Sequence, residues 1–198
     1  MKRVEEDIAY TLISQQEIYD KVHEIGRKIA DDFDGKEPVF VGVLKGCFMF
    51  MADLIRCVNI SSEIEFMAVS SYSGTNSTGA VRINKDLKGD INGRHIILVE
   101  DILDSGVTLN YLKNYLKVRE PASISIATLL DKPARRKAPI YAVISALMFR
   151  MNSSSDMGWI TMKNTATCLI SAFLNRRSIP DLKRFPFPSH YFCLNQRM

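Results

Sequence analysis

The stretch Ile96–Thr108, IILVEDILDSGVT, decides how this chain is read: an apolar run passes directly into three acids and then into a turn of small residues. Leu109, Leu112 and Leu116 then recur at helical spacing, so the turn opens a helix. Ser105, Gly106 and Thr108 therefore lie where backbone N–H groups at a helix N-terminus have no partner of their own. Gly106 lets a phosphate come close to the main chain, and the hydroxyls of Ser105 and Thr108 add donors. Glu100 and Asp101 stand at the carboxyl end of the strand, where open α/β sheets hold their ligands and where carboxylates accept from sugar hydroxyls or bind Mg2+. Asp104, one step further, is a candidate general base. Any one of these acids alone could equally cap the helix or solvate the turn. Three of them between ILV and SGVT point to a phosphorylated sugar.

The flanking sequence builds a sheet around this stretch. Ser14 followed by Glu17 is a capping box, and Ile18, Val22, Ile25, Ile29 and Phe33 then recur at spacings of three and four, giving an amphipathic helix that ends near Gly35. Pro38–Leu44 (PVFVGVL), Ile64–Val69 (IEFMAV), His95–Glu100 (HIILVE) and Ile124–Leu130 read as strands, and CFMFMADLIRCV after Gly46 reads as a helix whose Met and Phe residues pack the core. Strands alternating with helices imply a mostly parallel α/β sheet flanked by helices. Between Val69 and the third strand, SSYSGTNSTG has the composition of a mobile loop.

Length and composition restrict the function. The chain has 198 residues, 46% of them hydrophobic, with no apolar run long enough for a membrane span. The start, MKRVEEDIAY, lacks the apolar region of a secretory signal, so the expected location is cytoplasmic with no membrane partner. Cys47, Cys57, Cys168 and Cys193 show neither a CxxC pair nor zinc spacing, so free thiols are expected. The net charge of +4 is unevenly placed: residues 143–198 hold seven Lys/Arg against two Asp/Glu, leaving 19 against 20 before them. The first 142 residues carry no basic stripe, which argues against nucleic acid as their partner.

VEDILDSGVT resembles the phosphoribosyl pyrophosphate motif of type I phosphoribosyltransferases, in the version of the hypoxanthine-guanine branch. Leu44–Gly46 (LKG) is similar to that branch's pyrophosphate loop, SSYSGTNSTG to its flexible loop, and Leu129–Lys137 (LLDKPARRK) to its purine-side segment; the match runs from about residue 5 to Ala142. The resemblance implies the type I phosphoribosyltransferase fold and transfer of the 5-phosphoribosyl group from phosphoribosyl pyrophosphate to hypoxanthine or guanine, giving IMP or GMP and pyrophosphate. It implies that Lys45 and Gly46 contact pyrophosphate, with the Leu44–Lys45 bond able to be cis. Glu100 and Asp101 would face the ribose hydroxyls and Mg2+, and Asp104 the purine N7. Residues Asp104, Ser105, Gly106, Val107 and Thr108 would hold the 5′-phosphate, and Ser71 and Tyr72 would lie on the closing loop. Lys132 would donate to the purine O6, and Arg136 would bind substrate beside it. An ammonium has only donors, which favours an oxo group over the amino group of adenine. The family suggests a homodimer or homotetramer. A regulatory module that binds phosphoribosyl pyrophosphate without catalysis is the alternative, although it would need no base beside the purine.

The resemblance stops at Ala142. The family continues with a strand and PDEFVVGYGLDY, whose Phe stacks on the purine, whereas this chain has VISALMFRMNSSSDMGWITMK. The genetic code accounts for the break. Val143–Leu147 can be written GTT ATA TCG GCG TTG, and one A inserted after the first G gives GAT TAT ATC GGC GTT, read DYIGV. Permitted codons for Met148–Arg176 then yield DVPDEFVVGYGLDYDEKYRNLPYIGVLKP in the same frame, and Ile179–Asp181 (ATT CCT GAT) become TAT TCC TGA, a stop. Residues 1–142 are thus expected to be a phosphoribosyltransferase core. Residues 143–198 are expected to be a frameshifted, non-native tail that leaves the C-terminal part of the fold, its hood, incomplete and a sheet edge uncovered. Loss of the stacking aromatic would forfeit about 1–3 kcal/mol of purine binding.

Overall fold

Helix α1 begins where the sequence sets its cap. The Ser14 amide donates to Glu17 Oε2 (2.7 Å) and the Glu17 amide to Ser14 Oγ (3.2 Å), so α1 (Gln15–Phe33) starts on a closed capping box. The Ser14 hydroxyl, which donates to Glu17 Oε2 (2.6 Å), and then the Ser14 amide hold the Glu17 carboxyl below its usual range. The helix ends at a left-handed Gly35 (φ 69°). The structure, a computed structural model, describes residues 10–71, 81–142, 144–148, 161–163 and 169–172.

The chain divides into two units, Met1–Asp20 with Met151–Met198, and Lys21–Arg150. In the first, β1 (Tyr10–Ile13) pairs antiparallel with β9 (Leu169–Ala172), which pairs antiparallel with β8 (Thr161–Lys163). The second holds a six-stranded sheet in the order β4-β3-β2-β5-β6-β7. Its strands are β2 (Val39–Leu44), β3 (Glu63–Ser71), β4 (Val81–Lys85), β5 (His95–Leu103), β6 (Ser123–Asp131) and β7 (Ile144–Met148). All pair in parallel except β4, which runs antiparallel along β3. This is the mostly parallel sheet that the alternation of strands and helices predicts.

Helices cover both faces. Residues Val39, Val41, Val43, Ile96, Leu98 and Ile126 form one core with Leu109, Leu112 and Leu116 of α3 (Val107–Lys117). On the other face α2 (Phe48–Cys57) packs on β2 and β5, burying Phe50, Met51 and Leu54. Helix α1 crosses α2 so closely that a Cβ added at Gly26 would lie 2.6 Å from Cys57 Cβ.

Three elements differ from expectation. Strand β5 does not end at Glu100 but continues to Leu103, because β6 keeps pairing with it through Ile102↔Leu130 and Leu103↔Asp131. Phe48, expected in the core, is exposed, and the buried face of α2 is instead Phe50, Met51 and Leu54. The uncovered edge expected next to β6 is instead occupied by β7: the run Ile144–Met148 (ISALM) is largely apolar, and it pairs parallel with β6 from Ala127↔Ile144 to Asp131↔Met148. Of the tail 143–198, β7, β8 and β9 are described and the remainder lies outside the described residues.

Candidate active site

Parallel strands share a direction, so β2, β3, β5 and β6 bring their carboxyl ends to one edge of the sheet. That edge gathers Leu44–Lys45–Gly46 after β2, Ser71 at the end of β3, Glu100–Asp104 on and after β5, and Asp131–Lys132 after β6. Segments far apart in sequence thus meet at the place where such sheets bind ligands. The Leu44–Lys45 peptide is cis, and the exposed Lys45 follows it in a turn closed by the Phe48 amide donating to Lys45 O (3.3 Å).

The acids of β5 differ in setting. Glu100 Oε2 is buried and meets no hydrogen-bond donor among the described residues. Burial, reinforced by the neighbouring Asp101 carboxylate, pushes the Glu100 carboxyl well above its usual range. Asp101, 2% exposed, accepts from the Ile102 amide (2.9 Å), while the buried Thr128 hydroxyl reaches the Asp101 carbonyl (3.4 Å) and Leu130 O (2.9 Å). A carboxylate oxygen buried without a donor is at odds with a protein that stands alone, and it suits a site completed by a cation or by ligand hydroxyls.

Next comes the loop that follows β5. Gly106 is left-handed (φ 76°) and caps α3, whose first closed turn is the Asn110 amide donating to Gly106 O (2.9 Å). No acid lies in the first turn of α3, so its N-terminal dipole end is uncompensated by a carboxylate there. A second segment, Lys132–Ala138 with a 3-10 turn at Pro133–Arg135, braces the loop from behind. The Lys132 amide donates to Leu103 O (3.0 Å), and the Lys137 and Ala138 amides donate to Ser105 O (2.9 and 3.2 Å). Arg136 Nη1 donates to Leu103 O (3.1 Å) and Asp104 O (2.7 Å), and Arg136 Nη2 donates to Asp131 Oδ1.

Lys132 is 5% exposed, and burial lowers its ammonium from the usual lysine range, against the pull of Asp104 and Asp101. Arg135 Nε lies 3.1 Å from Asp104 Oδ1, near enough for an ion pair although its angle is not that of a hydrogen bond.

The structure therefore brings Glu100, Asp101, Asp104, Ser105, Gly106, Val107, Thr108 and Lys132 into one neighbourhood, with Lys45 and Gly46 at the same sheet edge. Ser71 ends β3 on that edge, and Tyr72 lies outside the described residues. The guanidinium of Arg136 is turned toward loop carbonyls and Asp131. Asp131, Thr128 and Arg135 also belong to this neighbourhood, and sequence reasoning does not single them out. Thr128 has a weak signal, a polar residue inside an otherwise apolar strand; the other two have none.

Comparison with known proteins bears on this geometry. The family model "Phosphoribosyl transferase domain" matches residues 11–154. The hypoxanthine-guanine phosphoribosyltransferase of Bacillus subtilis is 48% identical over 137 residues, 69% of this chain and 76% of that protein. The bifunctional protein TilS/HprT of Listeria monocytogenes is 47% identical over 137 residues, of which this chain spans about a fifth (21%) of the length. Among solved structures, a hypoxanthine phosphoribosyltransferase from Staphylococcus aureus superposes with a TM-score of 0.71 at 42% identity, covering 75% of this chain and 82% of that one.

Proposed function

The chain belongs to the phosphoribosyl transferase domain family, and we propose that it transfers a 5-phosphoribosyl group from phosphoribosyl pyrophosphate to a 6-oxopurine, hypoxanthine or guanine. The observation that carries this reading is the meeting of a buried lysine, Lys132, with a braced anion-binding loop after β5: one suits a purine oxo group, the other a 5′-phosphate.

The bond from the anomeric carbon to pyrophosphate breaks as a purine nitrogen attacks, and positive charge grows on the ribose. Glu100 and Asp101 face that charge and the ribose hydroxyls. Asp104, steered by Arg135, takes the purine proton. The amides from Asp104 to Thr108 and the hydroxyls of Ser105 and Thr108 hold the 5′-phosphate, Lys45 and Gly46 hold the pyrophosphate, and the loop bearing Ser71 and Tyr72 keeps water out. The two β5 acids, one with an orphaned buried oxygen, fit a divalent ion shared with substrate oxygens, since Mg2+ commonly takes one or two carboxylates plus phosphates. When bound, Mg2+ offsets charge on the departing pyrophosphate.

A second reading, that this chain is an inactive product of a frameshifted gene, is favoured by residues 143–198. One added base restores a family-like segment across them. The curated relatives align over about 137 residues, close to the length before Val143, although the family model runs twelve residues beyond Ala142. The test is hypoxanthine transfer with Mg2+ by this chain and by a version with the base restored. Transfer by the restored chain alone supports the phosphoribosyltransferase assignment of the core together with the frameshift reading of residues 143–198, and leaves this chain itself inactive. A restored protein that folds and binds phosphoribosyl pyrophosphate without transfer replaces the enzyme with a regulatory module.

A further inference from the structure

We propose that Arg136 is a positioning residue, which sets the phosphate loop in its anion-binding form from behind and ties it to the purine-side lysine, without itself touching the substrate. The proposal rests on the phosphate-binding reading of residues 104–108.

The geometry follows from the peptide unit. In a trans peptide the C=O and the next N–H point in opposite directions. Three successive carbonyls, Leu103, Asp104 and Ser105, face the Lys132–Ala138 segment and are held there by Arg136 Nη1 and the amides of Lys132, Lys137 and Ala138. The amides of Asp104, Ser105 and Gly106 are thereby turned the other way, and successive amides turned together form an anion cradle.

Among the described residues, one side chain reaches into this set. Arg136 binds two of the carbonyls with one nitrogen and the Asp131 carboxylate with the other, and both members of that ion pair are nearly enclosed (11% and 13% exposed). Asp131 immediately precedes Lys132, so the same guanidinium fixes the backbone that presents the purine-side ammonium. A lysine at position 136 would keep the charge but has a single nitrogen, and it cannot span two carbonyls and a carboxylate in a fixed fork. Arg136 Cδ also lies 3.1 Å from where a Cβ would stand on Gly106, which places the arginine stem directly beneath the loop's tightest point.

The test measures binding of two probes to the full chain and to R136K and R136A: ribose 5-phosphate, which reads the loop, and inorganic pyrophosphate, which reads the Lys45–Gly46 turn. Circular dichroism reports folding. The expected result is ribose 5-phosphate affinity lowered about tenfold or more in folded R136K, with pyrophosphate affinity within about twofold of the unaltered chain. Equal weakening of both probes, or of neither, overturns the proposal, as does failure of both variants to fold, which would make Arg136 a scaffold residue only. If the unaltered chain itself binds no ribose 5-phosphate, the phosphate-loop reading falls and takes this proposal with it. If it binds and R136K binds equally, this proposal alone fails.

Discussion

Replacing Gly106 with alanine should be one of the more damaging single-methyl additions in this chain, and Gly35 provides its control. Both glycines are left-handed, at φ 76° and 69°. For an L-residue that conformation costs roughly 1–2 kcal/mol, and Gly35→Ala should cost little else, because nothing lies within 4 Å of its added Cβ. At Gly106 the Cβ would meet Ile140 Cγ2 at 2.5 Å and Arg136 Cδ at 3.1 Å. Ile140 is 1% exposed and β-branched, so it has neither space nor a second good rotamer to retreat into. Overpacking of that kind adds roughly 1–3 kcal/mol, so G106A should be destabilised by about 2–5 kcal/mol in all, and by about 1–3 kcal/mol more than G35A. Urea unfolding of the three proteins, followed by far-ultraviolet circular dichroism, gives the difference from the midpoints if the slopes agree. Ribose 5-phosphate affinity should fall in G106A and stay unchanged in G35A. If G106A costs no more than G35A, the close approach of α3's cap to Ile140 and Arg136 is not what requires glycine, and the braced-loop description is refuted.

Two further substitutions read the charges of the site. Glu100 has a folded-state pKa raised by burial and by Asp101 above the ordinary 4.5, so its protonated form favours the fold. In metal-free buffer the contribution of Glu100 to stability should therefore be fully present below that ordinary value and be lost as pH rises through the raised one. E100Q removes this slope and should be at least as stable as the unaltered chain at neutral pH; parallel melting-temperature profiles for the two proteins would show that Glu100 is not the group responsible. K132M removes the buried ammonium that we assign to the purine oxo group, and kcat/KM for hypoxanthine should fall by about a hundredfold in whichever frame is active, with ribose 5-phosphate affinity within about threefold. Undiminished hypoxanthine transfer by K132M would take the oxo-recognition role away from this lysine.

The strands legible in the sequence are those buried on both faces. Val39–Val43 and Ile96–Val99 are continuous apolar runs because helices cover the sheet on each side, and such runs are conspicuous. Strand β4, VRINK, escapes notice because it is an antiparallel edge strand with half-buried and exposed residues in alternation, a five-residue pattern that resembles the continuation of a polar loop. The end of β5 is hidden for a related reason. Acids usually mark where a strand stops, but Glu100 and Asp101 remain in the ladder because β6 still pairs beyond them.

The site divides along the same line between local and tertiary information. Asp104–Thr108 can be read directly, since a helix N-terminus with small residues carries its chemistry in consecutive positions. The brace cannot. Nothing in KPARRK separates Arg136, which is enclosed against Asp131 and two carbonyls, from Arg135, which is half exposed and pairs with Asp104. Both are one basic residue among several, and only the register of β5 on β6, Leu103 opposite Asp131, decides that the chain leaving β6 passes behind the chain leaving β5. Two parallel neighbours must release their chains at the same edge, and the segment after one strand is then available to hold the carbonyls of the segment after the other. That arrangement turns the loop's amides outward and, in the function we propose, joins the phosphate side and the purine side of the site into one mechanical unit.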